Sequence, residues 1–592
     1  MDIITPAEAK TIPGLFKERL RRTPDKIAYT YFSDSLQQWN NLTWLQTDLQ
    51  IQQWHAAFSA ENLQQGDRVA IMLRNCPEWV MFDQAAARTG LITIPLYTND
   101  RADNISYILN DVNVKLLLIE GDKHWRGIKS AYEQLDHLEH IITLNPIPNA
   151  NDSRIITLAD WLEKSKETPT TDVELSGEQL ATIVYTSGTT GKPKGVMLSH
   201  HNIVWNAYAG TQSIPTFHDD IFLSFLPLSH TLERTIGYYF PMMCGSSVSY
   251  ARSIEQLGED LTIIKPTVLI SVPRIFERVN NKIQLQLAEK PAIARKLFAS
   301  AVNVGWHRFQ VSQGRATWHP KQLFWPILNI LVAKKIMAKL GGRMYFAISG
   351  GAPLSEDIAK IFIGLGLTIS QGYGLTETSP VISTNKLDDN LPATVGQPLQ
   401  DVEIRLGDND ELQVRSPGVM LGYWNNKQAT KDIIDEDGWL HTGDKAKIID
   451  GHIQITGRLK DIIVMSNGEK VPPADIELAI ANQALFDQVM IVGEGKPFLS
   501  AIVVLNPDKC QFLSGNKDIN DCLRDKQAQK EILNQINKQL VSFPGYANIY
   551  KVHATLEPWT VENELITPTL KIKRNKLNEK FKNEIEQFYS GH

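Results

Sequence analysis

The sequence predicts an α/β protein: a large amino-terminal region of layered α/β units, a small β subdomain that closes it, and a small α+β domain at the carboxyl end. Three observations carry this. Through the first two-thirds, short apolar runs at 69–73, 91–96, 115–119, 221–226, 267–272 and 344–348 alternate with helix-compatible stretches such as 78–89. Strands separated by helices pair in parallel and bury both faces, so they read as continuous apolar runs. Around residue 395 the period drops to two. Val402, Ile404 and Leu406 alternate with Asp401, Glu403 and Arg405, and Leu412 and Val414 follow the turn Gly407-Asp408-Asn409-Asp410, the pattern of a half-buried antiparallel hairpin. Past a short polar segment at 457–461 come strand-like runs at 488–492 and 499–505, a polar helix at 525–540 and the basic segment Lys571-Ile572-Lys573-Arg574-Asn575-Lys576. The expected division is therefore 1–456 and 457–592.

A chain of 592 residues has room for several domains and at least one large core. The net charge of −6, with no long basic stripe, excludes nucleic acid as the expected partner. Cys76, Cys244, Cys510 and Cys522 are far apart and make no ligand pattern, so they read as buried or free thiols in a reducing compartment. The start Met1-Asp2-Ile3-Ile4-Thr5-Pro6 lacks the basic-then-apolar order of a secretory signal. No apolar window of about 18 residues exists. The nearest, Phe324-Trp325-Pro326-Ile327-Leu328-Asn329-Ile330-Leu331-Val332-Ala333, is closed by Lys334-Lys335. The expected location is cytoplasmic.

The chemistry concentrates first in Tyr185-Thr186-Ser187-Gly188-Thr189-Thr190-Gly191-Lys192-Pro193-Lys194-Gly195, directly after the apolar run 181–184. Glycines let backbone N–H groups turn toward phosphate oxygens, the hydroxyls of Thr186, Ser187, Thr189 and Thr190 donate, and Lys192 and Lys194 supply charge. The spacing is not that of a Walker loop: only two residues separate Gly188 from Gly191-Lys192, and Pro193 follows. Five weaker segments join it. In Gln371-Gly372-Tyr373-Gly374-Leu375-Thr376-Glu377-Thr378, Tyr373 could stack on a flat base, Thr376 could donate to a phosphate and Glu377 could hold Mg²⁺. In Trp439-Leu440-His441-Thr442-Gly443-Asp444 the carboxylate could accept both hydroxyls of a ribose. Arg458, in Gly457-Arg458-Leu459-Lys460-Asp461, could reach ribose or phosphate. In Ser349-Gly350-Gly351-Ala352-Pro353-Leu354 the backbone could approach an adenine edge, and in Leu226-Pro227-Leu228-Ser229-His230 the histidine could sit beside a reacting carboxylate. Each of the five, taken alone, reads at least as readily as an ordinary turn, linker or structural histidine. Their joint occurrence in this order points to a nucleotide site.

In that order and spacing the chain resembles the adenylate-forming superfamily of acyl-CoA synthetases, adenylation domains and luciferases over nearly its whole length. Within the superfamily it is similar to the long-chain fatty acyl-CoA synthetases, through Ile270-Ser271-Val272-Pro273-Arg274-Ile275-Phe276-Glu277-Arg278-Val279, through Leu226-Pro227-Leu228-Ser229-His230-Thr231-Leu232-Glu233-Arg234, and through a long insert at about 280–340. One departure stands in the C-terminal segment Thr567-Pro568-Thr569-Leu570-Lys571-Ile572-Lys573-Arg574, where Leu570 occupies the position at which many members carry glycine. It leaves Lys571 or Lys573 as the catalytic lysine, and the following Ile572 and Arg574 favour Lys571.

The resemblance implies a two-step reaction: a fatty carboxylate attacks the α-phosphate of ATP, giving acyl-adenylate and pyrophosphate, and the thiol of coenzyme A then takes the acyl group. A carrier-protein phosphopantetheine arm is the alternative acceptor. It implies a small β-barrel-like subdomain, a mobile C-terminal domain hinged near Lys460, and a CoA channel along Ser466-Asn467-Gly468-Glu469-Lys470. Lys571, Glu377, Thr376 and His230 are the implied catalytic residues. ATP is held by 186–192 and Lys194, Gly350, Gly351, Ala352, Gln371, Gly372, Tyr373, Gly374, Thr376, Asp444 and Arg458, and Mg²⁺ by Glu377 and Thr186. Tyr238, Tyr239, Phe240, Met242 and Met243 are expected to line an apolar acyl pocket or to be ordinary core. In the insert, Trp306, Phe309, Trp318, Phe324 and Trp325 lie among Arg308, Arg315, Lys321, Lys334 and Lys335, which reads as a packed helical hairpin or as peripheral contact with the inner face of a membrane through 281–340.

Overall fold

The computed structural model of the chain describes residues 2–132, 135, 137–148, 152–186, 192–510, 523, 525–541, 543–568 and 570–590. Two large sheets form the first part. One has eight strands, and its parallel core runs Leu180–Thr186, Ile92–Pro95, Arg68–Met72, Leu116–Ile119, His140–Thr143 and Ile155–Thr157. Lys194–Ser199 and Gly422–Tyr423 are added antiparallel at one edge. The other has nine strands, with Thr368–Gly374, Phe346–Ser349, Val268–Ser271, Ile221–Ser224, Ser247–Tyr250 and Ile27–Ser33 parallel in that order. The apolar runs of the sequence are these strands, and four of them are buried at every residue: Ile92–Pro95, Leu116–Ile119, Val268–Ser271 and Phe346–Ser349.

Helix His200–Ser213 passes from the strand Lys194–Ser199 into the core. Its start is a reciprocal cap: the Ser199 hydroxyl accepts the Asn202 N–H at 3.1 Å and the Asn202 side-chain oxygen accepts the Ser199 N–H at 2.8 Å. The same helix pins the chain at 378–381, since Asn206 donates to the Val381 carbonyl (2.8 Å) and accepts the Val381 N–H (3.1 Å). A π-helix, Glu233–Tyr239, follows the His230 turn and is wholly buried. A Cβ on Gly237 would meet the Glu233 carboxylate at 2.4 Å, so only glycine leaves room for that acid inside the wide turn.

The period-two region forms a four-stranded antiparallel sheet, Glu403–Leu406, Glu411–Arg415, Leu440–Ile449 and His452–Arg458, in sequence order. Its last strand is met on the outer side by the 395–396 backbone: the Val395 N–H donates to the Ile453 carbonyl and the Ile453 N–H to the Gly396 carbonyl, both at 2.8 Å. The last strand runs past 456 to Arg458, whose register partner is Asp444. Beyond it, the sheet Phe486–Val492, Leu499–Leu505 and Ile549–Thr555 packs with helices Pro473–Ala481, Lys526–Gln539 and Arg574–Lys580. Two apolar clusters there draw all their buried members from 463–581.

The insert is helical: Pro273–Ala288, Ala292–Ser312, and a run of short helical pieces from Pro320–Phe324 to Ala338–Leu340. Trp306 and Phe309 pack ring against ring at 5.3 Å, and Arg308 lies over Trp325 at 5.0 Å, so these belong to the packed hairpin. Trp318 and Phe324 are exposed. No helix among the described residues is long and apolar enough to cross a membrane. Cys76, Cys244 and Cys510 are free thiols; Cys522 lies outside the described residues.

Candidate functional site

A cleft of about 1800 Å³ opens between the first part of the chain and the C-terminal part, with both contributing walls. The strand hairpin Leu180–Thr186 and Lys194–Ser199 delivers the phosphate-loop segment to it, with Thr186 paired to Lys194 at its mouth. Ser187, Gly188, Thr189, Thr190 and Gly191 lie outside the described residues. The base of the loop is held by aromatic and acidic groups. The Tyr185 hydroxyl donates to the Asp111 carboxylate, and the Trp424 indole donates to the Asp111 carbonyl at 3.1 Å. Lys192 lies 4.9 Å above the Tyr107 ring and Lys194 4.9 Å above the Tyr423 ring, which leaves both ammonium groups in the cleft.

Strand Thr368–Gly374 and the tight turn Thr376–Thr378 set the next group. The Tyr373 hydroxyl donates to one Asp444 oxygen at 2.5 Å and the Arg458 guanidinium to the other at 3.0 Å. Burial, with the Asp444 carboxylate beside it, pushes the Tyr373 hydroxyl well above its ordinary range, so it remains a donor. Tyr373, Asp444 and Arg458, far apart in sequence, are thus one hydrogen-bonded unit. Thr376 faces Thr231 at 3.4 Å, and the Tyr423 hydroxyl donates to Glu377 at 2.7 Å. Gly350, Gly351, Ala352, Gly372 and Gly374 also line the cleft. Gln371 does not: its side chain accepts the Leu354 N–H at 3.0 Å and donates to the Pro392 carbonyl at 2.5 Å, so it shapes the 350–354 turn from behind.

Lys571 enters this cleft from the C-terminal part. Lys571 is exposed to the open cleft, yet desolvation by the surrounding walls depresses its ammonium below the ordinary lysine range; the Arg458 charge acts the same way, and the Asp444 and Glu377 carboxylates act against it. His230 is half-buried in the same cleft, its Nδ1 accepting the Leu232 N–H at 3.1 Å. Burial, with the Lys571 charge adding, lowers the imidazole to about 4, which keeps it neutral at physiological pH. Lys573 lies instead in the surroundings of Asp100, Arg101 and Asp103 and is not part of the cleft wall. The 466–470 segment is the turn of the small hairpin Ile463–Val464 and Lys470–Val471, also off the cleft wall.

The apolar side of the cleft separates the two readings of one group. Of Tyr238, Tyr239, Phe240, Met242 and Met243, only Phe240 lines it. Tyr239 is held in the core by Asp83 (2.7 Å) and Arg234 (3.0 Å), with Arg234 also paired to Asp83 at 2.5 Å, and Tyr238 accepts from Gln84 at 2.7 Å. Met242 and Met243 are fully buried, and their carbonyls accept from Arg19. The apolar wall is made by Gly210, Ile214, Leu232, Ile236, Phe240 and Ile348. Tyr423 was also outside the sequence reading; a lone aromatic in a loop carries no periodic signal that would single it out.

Two lysines at the mouth of a strand hairpin, an acid-anchored tyrosine and arginine, and a lysine brought from a second core thus line one cleft that also has an apolar wall. The chain belongs to the AMP-binding enzyme family: that family matches residues 16–424, and its AMP-binding enzyme C-terminal domain matches 460–592. A long-chain-fatty-acid–CoA ligase of Mycobacterium tuberculosis strain H37Rv is 31% identical over 99% of this chain and 98% of its own. The peroxisomal long chain acyl-CoA synthetase 6 of Arabidopsis thaliana is 30% identical, over 88% of this chain and 78% of its own. Among solved structures, the A domain of a carboxylic acid reductase from Segniliparus rugosus, in complex with AMP and a co-purified carboxylic acid, is similar with a TM-score of 0.76 at 18% identity, covering all of this chain and 96% of that one.

Proposed function

We infer that this chain is an ATP-dependent long-chain fatty acid–CoA ligase, forming an acyl-adenylate and then acyl-CoA, with release of pyrophosphate and AMP. The observation that carries it is the convergence of Lys571, Glu377, His230 and the Asp444–Tyr373–Arg458 unit on one cleft that also has an apolar wall. The reaction needs positioning and charge neutralisation more than a protein nucleophile. Lys571 would bridge the fatty carboxylate and the α-phosphate. Lys192, Lys194 and the 186–191 hydroxyls and backbone would hold the departing phosphates, and Asp444 and Arg458 the ribose. Tyr373 and the 350–352 backbone would flank the adenine. The neutral His230 would lie beside the carboxylate, where a charged imidazolium would compete with Lys571. The acyl chain would run along the wall from Gly210 to Phe240, each buried methylene contributing about 0.8 kcal/mol.

Magnesium fits the groups present. Among the described residues no cluster of three or more His, Cys, Asp or Glu could hold a metal alone. Mg²⁺ commonly takes one or two carboxylates and completes its shell with substrate phosphate oxygens. Glu377, with Thr186 across the cleft, would supply the protein's share, and the ion would supply charge to the phosphate oxygens. CoA would enter along 466–470 only after the 457–592 unit rotates about a hinge near Lys460, which removes Lys571 from the reacting centre. The enzyme would sit in the cytoplasm, with peripheral membrane contact through the 281–340 insert. The test of the reaction is purified protein with ATP, Mg²⁺, palmitate and CoA. Palmitoyl-CoA and AMP should appear in equal amounts; pyrophosphate release without palmitoyl-CoA would turn the second step toward a carrier-protein arm, and no pyrophosphate release would refute the ligase reading.

A further inference from the structure

The helical run 320–340 has apolar residues on both of its sides. Leu328, Ala333 and Leu340 point into the protein and are buried. On the outer side Leu323, Phe324, Ile327, Ile330 and Leu331 are exposed, Leu323 at 71% and Phe324 at 61%. These positions recur at three- and four-residue steps, so they form one stripe along the run. A surface helix ordinarily turns charge to solvent; a helix apolar on all sides is ordinarily covered. The charge around the stripe says by what. From Lys290 to Ser355 the chain has ten cations, Lys290, Arg295, Lys296, Arg308, Arg315, Lys321, Lys334, Lys335, Lys339 and Arg343, and not one Asp or Glu, although the whole protein carries a net charge of −6. Lys321 sits at the start of the stripe, and Lys334 and Lys335 at its end, all exposed. Of these cations Arg315 is paired, with Asp389; among the described residues the other nine have no ion pair.

We propose that this face docks on the surface of an anionic lipid bilayer, the apolar stripe lying in the headgroup boundary and the lysines on the lipid phosphates. The proposal extends the peripheral contact put forward above and is independent of which acyl group the cleft accepts. Apolar side chains framed by cations are what an anionic interface holds. A second copy of the chain fits the face poorly, because pairing the stripes would bring two acid-free cationic surfaces together.

The test is co-sedimentation of the full chain with vesicles of phosphatidylcholine alone and of phosphatidylcholine containing phosphatidylglycerol. Binding should be about tenfold or more greater on the anionic vesicles at low salt and should weaken as NaCl screens the lysines. The triple variant Lys321→Glu, Lys334→Glu, Lys335→Glu should lose that preference. The variant Phe324→Ser, Ile327→Ser, Leu331→Ser should lose the binding that survives high salt. Both should keep wild-type turnover of octanoate in free solution, which reports that the fold is intact. Equal binding to neutral and anionic vesicles, or none to either, overturns the proposal. So does a wild-type dimer in light scattering that the serine variant converts to monomer, which would assign the stripe to a second copy. Vesicle binding without any fatty acid activation would refute the ligase reading and leave this one standing.

Discussion

The two walls of the cleft are held in different ways. The wall built from residues up to Arg458 is cross-linked within itself: Asn206 of the central helix bonds Val381, Tyr373 and Arg458 converge on Asp444, and the Tyr423 hydroxyl steadies Glu377. The opposite wall has apolar clusters of its own, and its polar contacts with the first wall lie at the surface. Arg101 pairs with Glu564, and Arg274 reaches the Asp487 carbonyl at 3.3 Å and its carboxylate at 3.8 Å, all four side chains about one-third exposed. Exposed ion pairs of this kind contribute roughly 0–1 kcal/mol each. On the proposed function, the first wall would be the template for the nucleotide, and the weakly tied second wall would bring Lys571 in and take it out at small cost. On the first wall the anchors Asn206 and Asp444 are themselves buried, although the Arg458 side chain is 44% exposed, whereas both members of each contact between the walls are about one-third exposed.

The comparison can be broken first at the fixed wall. Asp444→Ala removes the anchor of both Tyr373 and Arg458 and leaves a buried hydroxyl and a guanidinium without their acceptor. ATP-dependent turnover should fall about a hundredfold or more, mostly through KM for ATP, as measured by pyrophosphate exchange. An effect on kcat alone would mean that the unit does not bind nucleotide.

Next comes the π-helix that backs the apolar wall. Burial holds the Glu233 carboxyl neutral by raising it from 4.5 to about 8, with the Ser224 hydrogen bond acting against the rise. The native state thus keeps a proton that the unfolded chain releases at ordinary carboxylate pH. The stability tied to that proton is complete below about pH 4.5, shrinks as pH rises and is gone above about 8. Against Glu233→Gln, which does not titrate, wild type should lose a few kcal/mol over that window in thermal or urea unfolding. A constant difference between the two proteins would show Glu233 to be ionised throughout.

At the apolar wall, a Cβ on Gly210 would already stand 3.3 Å from the Phe240 ring. Gly210→Ile should therefore narrow the wall, lowering kcat/KM for palmitate about tenfold or more while leaving octanoate near wild type. Equal loss on both acids would place the acyl chain elsewhere. The smallest effect belongs to the mobile wall: Glu564→Gln should change pyrophosphate exchange only about two- to threefold, and the change should vanish at high salt.

Much of this was legible in the residues. Parallel strands buried on both faces must be apolar throughout, so 91–96, 115–119 and 344–348 announce themselves, and turn glycines beside hydroxyls and acids mark the nucleotide segments. The acyl wall was not legible, because an apolar residue on a buried helix looks the same whether it faces core or cavity. Tyr238 and Tyr239 read equally as pocket aromatics or as core, and only the fold, which brings Asp83 and Gln84 from far along the chain to their hydroxyls, places them in the core. Gln371 reads as a ligand residue by its place in the motif, and only the packing of Leu354 and Pro392 turns it away. In the insert, Trp306, Phe309 and Trp325 are packed, whereas Trp318 and Phe324, singled out with them, are exposed, and the rest of the stripe is plain Leu and Ile.

The central claim is that Lys571 serves the first half-reaction from a wall that leaves before the second. The measurement is the two half-reactions taken separately in Lys571→Ala, with Lys573→Ala beside it. Palmitate-dependent pyrophosphate exchange should fall about a hundredfold or more, while transfer from preformed palmitoyl-adenylate to CoA should stay within a few-fold of wild type, and Lys573→Ala should leave both close to wild type. Equal loss of both half-reactions in Lys571→Ala, or the larger exchange defect in Lys573→Ala, would contradict the account.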